Sequence, residues 1–353
     1  MGTYLLVIAA AIAVRQADRW WFSPRRGARP AGTRRDLMAL QRSRANDITP
    51  ALLMAGHWAE LAGWWGIAAH GGAAGAAVAA LAVAVKFRHL QEVSHFAVHG
   101  VLTRSPRGGT LLAEALVHVP MGLVPVAVRR ERHVRQHHPN ATTPGADPNL
   151  ADLEEAGLVP GVGPRRFAQG LLHPLTPAGI AGTCRSLAAG LSPRTGPWRL
   201  PAFAAAAGAA CAVGGWRALL LAYVLPRLLL YPQLAWMSLI VEHRWFDAEP
   251  AAGTPAEVEA GRCLRLYPRS AALALLARGT WLPYGDLFHY AHSAHPAVRW
   301  NYLPALERVI GMPHYTPSGL LAGPSAVVGH HRRALGAGVP AGAPAAGRGA
   351  AAL

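Results

Sequence analysis

The sequence predicts an all-α membrane protein. It should have two transmembrane helical hairpins (about four spanning helices), interfacial helices and a cytoplasmic helical cap that carries a metal site. Three observations lead there. Apolar runs at 51–69, 74–92, 200–215 and 218–241 have near-spanning length and come in two pairs, each joined by a short glycine turn. Of the 353 residues, 52% are hydrophobic and only 15% charged, which is too apolar for an ordinary soluble domain of this size. Finally, histidines cluster just beyond the apolar runs: His89, His95 and His99, then His133, His137 and His138, then His289, His292 and His295, with His243 standing alone.

The elements follow in chain order. Residues 3–14 are apolar but short and lack the leading positive charge of a secretory signal, so they read as an interfacial or short membrane helix. Residues 15–47 are rich in arginine, beginning with Arg15 and Arg19, and by the positive-inside rule belong to the cytoplasm. Residues 1–47 thus form an N-terminal segment, 48–315 the main membrane domain and 316–353 a largely disordered tail of low complexity. The first hairpin turns at 70–73 (HGGA) and loses its apolar character at Lys86 and Arg88. Residues 110–128 contain two prolines. A full span there would carry the second histidine cluster to the wrong side, so this run is expected to be interfacial or re-entrant.

Residues 141–199, rich in proline and glycine, read as a cytoplasmic connection. The second hairpin turns at Gly214, and its first arm is short, implying tilt or a thinned bilayer edge. It ends at Glu242 and His243. Both main termini and all the histidine clusters then face the cytoplasm. Glu60 and Arg227 fall near the middle of their spans. Because intramembrane charges are costly and usually paired, these two are expected to face each other.

The formal net charge is +16, but the arginines flank apolar runs, which fits anionic lipid rather than nucleic acid. Arg129, Arg130, Arg132 and Arg135 suit either lipid headgroups or an acidic protein partner. The three cysteines, Cys184, Cys211 and Cys263, show no CxxC spacing, so neither disulfides nor a thiolate metal site is expected.

The histidine spacing carries the chemistry. Residues four apart on a helix share a face, as do residues three apart. His95 with His99, His133 with His137, and His289 with His292 meet that condition. His138 points about 100° further round, so two adjacent histidines can serve two different metals. Imidazole is the commonest ligand for redox metals. A zinc-dependent membrane hydrolase would need far fewer ligands, and a transporter would place its ligands mid-membrane. Glu242 and Asp286 lie beside the clusters and are candidates to accept a hydrogen bond from a ligating ring, with His89 as a further neighbour.

Taken together, these motifs resemble the integral-membrane fatty acid desaturase and hydroxylase superfamily. The first motif is SHFAVHG, holding His95 and His99, with Arg88 seven residues upstream. The second is HVRQHH from His133 to His138, followed by Asp147 and Pro148. The isolated histidine is His243, and the third motif runs from His289 through His292 to Pro296, then Asn301 and Pro304. The resemblance covers roughly residues 50–310. It implies two iron ions held by His95, His99, His133, His137, His138, His243, His289 and His292, with O₂ as co-substrate. It also implies hydrogen removal from an unactivated C–H bond of a lipid or acyl chain. The product is an alkene in a desaturase, or an alcohol in a hydroxylase or monooxygenase acting on an acyl chain, another lipid or a specialised metabolite. No fused haem, ferredoxin-like, flavin or nicotinamide segment is present, so a separate ferredoxin or reductase would supply electrons. One position departs from the pattern. The third motif normally ends in a histidine pair, and here Ser293 takes the second place, with His295 expected to substitute from a shifted position.

Overall fold

A computed structural model describes residues 1–27, 34–266, 271–319, 321 and 326–336. Among these every regular element is a helix. There is no strand, only the isolated bridges His243–Cys263 and Gly319–Ala326.

Helix α1 (Gly2–Gly27) is followed by the short α2 (Arg34–Leu40), and then by α3 (Ala45–His70) and α4 (Gly72–Val98), which form the first hairpin. Gly72, at φ +65°, makes the reversal. Helix α1 lies antiparallel along α3, with Tyr4 stacked on His70 at one end and Arg15 beside Gly56 at the other. Glycines on α3 allow this close approach. A β-carbon at Gly63 would sit 2.6 Å from Ile8 Cγ1, and one at Gly56 would sit 2.5 Å from Arg15 Cγ. The approach places Arg15 against Glu60, which also binds Lys86 Nζ at 2.9 Å. Arg15 therefore belongs to the helical core, not to an exposed basic stretch. Further along α1, Asp18 accepts hydrogen bonds from Asn301 and Trp300, which ties the N-terminal helix to the loop after the third histidine motif.

Helix α5 (Pro106–Ala113) runs into a π-helical turn, Glu114–His118, and stops there. These 13 residues span about 20 Å, short of a bilayer's roughly 30 Å hydrocarbon core. The turn that follows inserts against the second hairpin. Tyr223 donates to the Pro120 carbonyl at 2.6 Å, Arg227 donates to the carbonyls of Met121 and Gly122, and Arg199 donates to that of Leu123. The expected Glu60–Arg227 pair does not form. Glu60 is neutralised by Arg15 and Lys86 on α1 and α4, and Arg227 instead satisfies backbone oxygens that a buried turn leaves without partners.

Helix α6 (Val126–Arg130) passes through a π-helical segment, Glu131–His137, into α7 (His138–Asn140). The connecting region folds as α8 (Pro148–Glu155), α9 (Pro164–Leu171) and α10 (Pro177–Leu191), each opened by proline in its first turn.

The stretch Arg199–Glu242 contains α11 (Arg199–Leu219), two π-helical turns and α12 (Tyr231–Glu242). Gly214 and Gly215 leave helical geometry, Gly215 at φ +64°. The chain doubles back there, because the rings of Phe203 and Tyr223 lie 5.9 Å apart. On a straight helix, 20 residues would separate them by about 30 Å. Trp65 on α3 donates to the Ala222 carbonyl at 3.0 Å, and Phe87 on α4 packs edge-on against Tyr223, so the hairpins share one core. Two stretches among the described residues are long and apolar enough to cross a membrane, Gly72–Val98 and Arg199–Glu242. Helix α3, with His57 and Glu60 on it, is not one of them.

The remaining helices are α13 (Pro255–Arg262), α14 (Ala271–Gly279), α15 (His289–Ala294), α16 (Leu303–Leu306) and α17 (Val327–Gly336). Helix α17 lies within the segment expected to be largely disordered, and its His331 donates to the Ile240 carbonyl at 2.8 Å. The tail beyond 336 lies outside the described residues.

Candidate metal centre

The two apolar stretches end at histidines. Helix α4 carries His95 in its last turn and has His99 as its C-cap, and α12 is followed directly by His243. The four-residue spacing brings His95 Nε2 to 2.9 Å from His99 Nε2. His133 Nε2 lies 2.7 Å from His95 Nε2 and 3.1 Å from His138 Nε2. His292 on α15 completes the group, its ring 4.9 Å from that of His95 and 4.6 Å from that of His99. The ligand nitrogens of His95, His99, His133 and His292 all lie within 4.8 Å of one another. A metal binding nitrogens at about 2.0–2.1 Å would hold adjacent donors roughly 2.9–3.3 Å apart.

A second group adjoins the first. His289 Nε2 is 3.0 Å from His243 Nε2, and Cys263 Sγ joins them within the same 4.8 Å limit. Between the groups, His137 and His138 diverge as their adjacent positions require. The His137 ring is 5.2 Å from that of His243, while His138 is 5.0 Å from His99 and 4.6 Å from His133. The π-helical winding of Glu131–His137 keeps both rings near His133 while presenting them to different groups.

The donors are in the form a metal needs. Burial, and then the neighbouring imidazoles, push His99, His133, His138, His243 and His289 well below the ordinary histidine value, and burial drives His292 down to about 3. Neutral rings with free lone pairs result. His137 Nε2 and both ring nitrogens of His292 are buried with no hydrogen-bond partner among the described residues. Leaving such atoms unpaired costs about 1–3 kcal/mol each, and a bound cation would remove the cost. The residues present therefore fit a metal.

The ring-orienting carboxylates differ from those expected. Asp147 Oδ1 lies 2.9 Å from His137 Nδ1, both residues fully buried. Glu92 Oε2 lies 3.4 Å from His95 Nδ1. Asp286 is one step removed: it binds Arg88 and Ser238, and Arg88 in turn binds Glu92. Glu242 accepts from Ser238 at 3.3 Å and bonds no histidine. His89 sits elsewhere, its ring 5.3 Å from His57 and 5.7 Å from Tyr284, because a six-residue offset turns it off the His95 face. His295 caps α15 in non-helical geometry and is not among the donors that lie within 4.8 Å of one another.

Cys263 is the donor that spacing did not reveal. It is fully buried and stands opposite His243 in an antiparallel bridge, closed by Arg244 N–H to the Arg262 carbonyl at 2.8 Å. Nothing near position 263 in the chain marks it as a ligand. Of the basic cluster, Arg130 is turned inward to the carbonyls of Ala97 and Val98, Arg132 pairs with Asp152 and Arg135 with Glu131.

A cavity of about 740 Å³ opens beside His95 and His133. Leu123, Ala235, Trp236 and Leu239 give it apolar lining, and Arg129, Arg227, Glu92 and Glu242 give it charged lining of both signs.

The model of a family described as fatty acid desaturase matches residues 72–316, which include every histidine of the two groups. No curated protein matches the chain.

Proposed function

The chain belongs to the fatty acid desaturase family, an oxidoreductase family, and from that premise we propose that it is a membrane-bound, O₂-dependent di-iron desaturase of a fatty acyl chain. The observation that carries this reading is the convergence of histidines from four separate segments on two adjacent groups, with neutral rings and orphaned buried nitrogens. His95, His99, His133, His138 and His292 would hold one iron, and His137, His243 and His289 the other. Bound there with O₂, the pair of irons supplies the oxidising power to take hydrogen from an unactivated C–H bond.

The chain's own residues do the rest. Asp147 and Glu92 fix the Nδ1 side of His137 and His95, which aims Nε2 at the centre. Phe96 packs edge-on against His292 and Trp300, and this aromatic wall keeps water from the rings on that side. The mixed cavity suits an amphiphile, with its chain along Leu123, Trp236 and Leu239 and an anionic head near Arg129 and Arg227. Both apolar stretches end at the histidines, which supports a multi-pass protein with the centre at one membrane face, the cytoplasmic one by the arginine bias. Electrons would arrive from a separate ferredoxin or reductase.

Two measurements test the reading together. Purified protein should contain about two irons per chain, and cells expressing it should accumulate a lipid lacking two hydrogens, absent with His137→Ala. A product carrying one added oxygen would replace desaturation by hydroxylation. One zinc per chain with a hydrolysed lipid would overturn the family chemistry altogether.

A further inference from the structure

Ser293 occupies the place where the third motif pattern carries its last histidine, and this raises the question of what faces the second metal position instead. His295 is not among the donors that lie within 4.8 Å of one another. The Ser293 hydroxyl is buried without a hydrogen-bond partner among the described residues, and the buried thiol of Cys263 packs with Tyr290 of the same helix. We infer that Cys263 is a sulfur ligand of the second metal, acting with His243, His289 and His137 in place of the missing histidine. The inference rests on the two-metal reading above and deepens it.

Backbone geometry puts the sulfur there. His243 and Cys263 are directly opposed in an antiparallel bridge, flanked by Arg244 N–H to Arg262 O at 2.8 Å and Leu264 N–H to Glu242 O at 3.4 Å. This is the non-hydrogen-bonded type of pair, in which facing side chains emerge on the same side and lie closest. Sγ accordingly sits 3.3 Å from His243 Nδ1, the nitrogen that also faces the Arg262 carbonyl, and one donor atom each of His243, Cys263 and His289 lies within 4.8 Å of the others. A second observation points to a ligand at this spot. His137 Nδ1 is occupied by Asp147, which leaves Nε2 buried and unpartnered on a ring whose centre lies 5.2 Å from that of His243. Cys184 and Cys211 are exposed, so Cys263 is the buried thiol of the three.

The proton has a destination. Cys263 Sγ–H donates to Glu259 Oε2 at 3.1 Å. Ligation exchanges the S–H bond for a sulfur–metal bond, because a coordinating thiol is deprotonated, and the released proton passes to the Glu259 carboxylate. Arg262, paired with Glu259, also holds the His138 and Ala141 carbonyls, so this acceptor is anchored to the second histidine motif. A soft sulfur among imidazoles would make the two metal positions chemically unequal.

The test uses full-length protein in detergent, stripped of metal and titrated with Co²⁺ as the probe. The wild type should bind about two equivalents and develop a near-ultraviolet sulfur-to-cobalt charge-transfer band with the weaker or stronger of the two. Cys263→Ser should lose that band and bind one equivalent at least about tenfold more weakly. The other equivalent, at the histidine-only group, should be unchanged and so reports intact folding. Adding Ser293→His to Cys263→Ser should restore the second equivalent without the band. Two equivalents with no sulfur band in the wild type, or a band that survives in Cys263→Ser, would overturn this inference and leave the di-metal reading standing. A wild type that takes up no metal would overturn both.

Discussion

His137 Nδ1 and Asp147 Oδ1 lie 2.9 Å apart in a pocket where neither side chain has any solvent exposure. Asp147 also caps α8, accepting from Asn149 N–H at 2.9 Å, and it accepts from Thr142 N–H at 2.8 Å. One carboxylate thus sets the direction of a histidine and the start of a helix. Asp147→Asn keeps an oxygen for the cap but lacks the charge that holds the ring. Metal affinity should fall by about 10–100-fold with little loss of stability. Asp147→Ala should lose a further ~1 kcal/mol through the cap. Metal titration and thermal unfolding separate the two effects.

His89 and His133 are both clustered histidines in the sequence, but only His133 converges on the other rings. His133→Ala should remove bound metal. His89→Ala should leave the metal content of the purified protein unchanged, since His89 contacts His57 and Tyr284 instead. Loss of metal in His89→Ala would contradict the site as drawn.

Arg227 and Glu60 belong to separate networks. Arg227→Gln should cost about 1.5–3 kcal/mol by releasing the Met121 and Gly122 carbonyls. Glu60→Gln should leave Arg15 and Lys86 close together without their anion. Because the two share no partner, the double variant should be additive within about 0.5 kcal/mol. A large coupling energy in that cycle would restore the direct pair.

Gly63 is where α1 and α3 touch. Gly63→Ala places a methyl group against Ile8 Cγ1 and 3.1 Å from the Tyr4 carbonyl oxygen. The side chain can yield but the backbone oxygen cannot. Destabilisation of about 1–3 kcal/mol is expected, rescued only in part by Ile8→Ala. Chemical unfolding in detergent measures both.

His331 makes α17 sensitive to acid. Burial lowers its value to about 4, from about 6.5 in the unfolded chain. Between those values the unfolded state binds the extra proton and the folded state does not. Its contribution is therefore intact above about pH 6.5 and is lost as pH falls toward 4, by at most about 3 kcal/mol. His331→Gln can still donate to the Ile240 carbonyl without titrating, so its stability should fall less steeply over that interval. Equal slopes for the two proteins would refute this.

What the chain order alone determined is local. The hairpin turns at Gly72 and Gly214, the face shared by His95 and His99, and the divergence of His137 from His138 all follow from helical periodicity and glycine conformation within a few residues. The partners of Glu60 were not legible, because Arg15 reaches it only through the packing of α1 on α3, 45 residues away in sequence. Nor was the turn that Arg227 supports, since hydrogen bonds from a side chain to distant carbonyls leave no periodic trace. Glu92 was hidden inside an apolar helix pattern, three residues before the ring it orients. Cys263 was hidden most completely. Its place beside His243 comes from one antiparallel bridge between segments 20 residues apart, and register of that kind is decided when the chain folds back on itself, where backbone hydrogen bonds and burial, not spacing, choose which residues face each other.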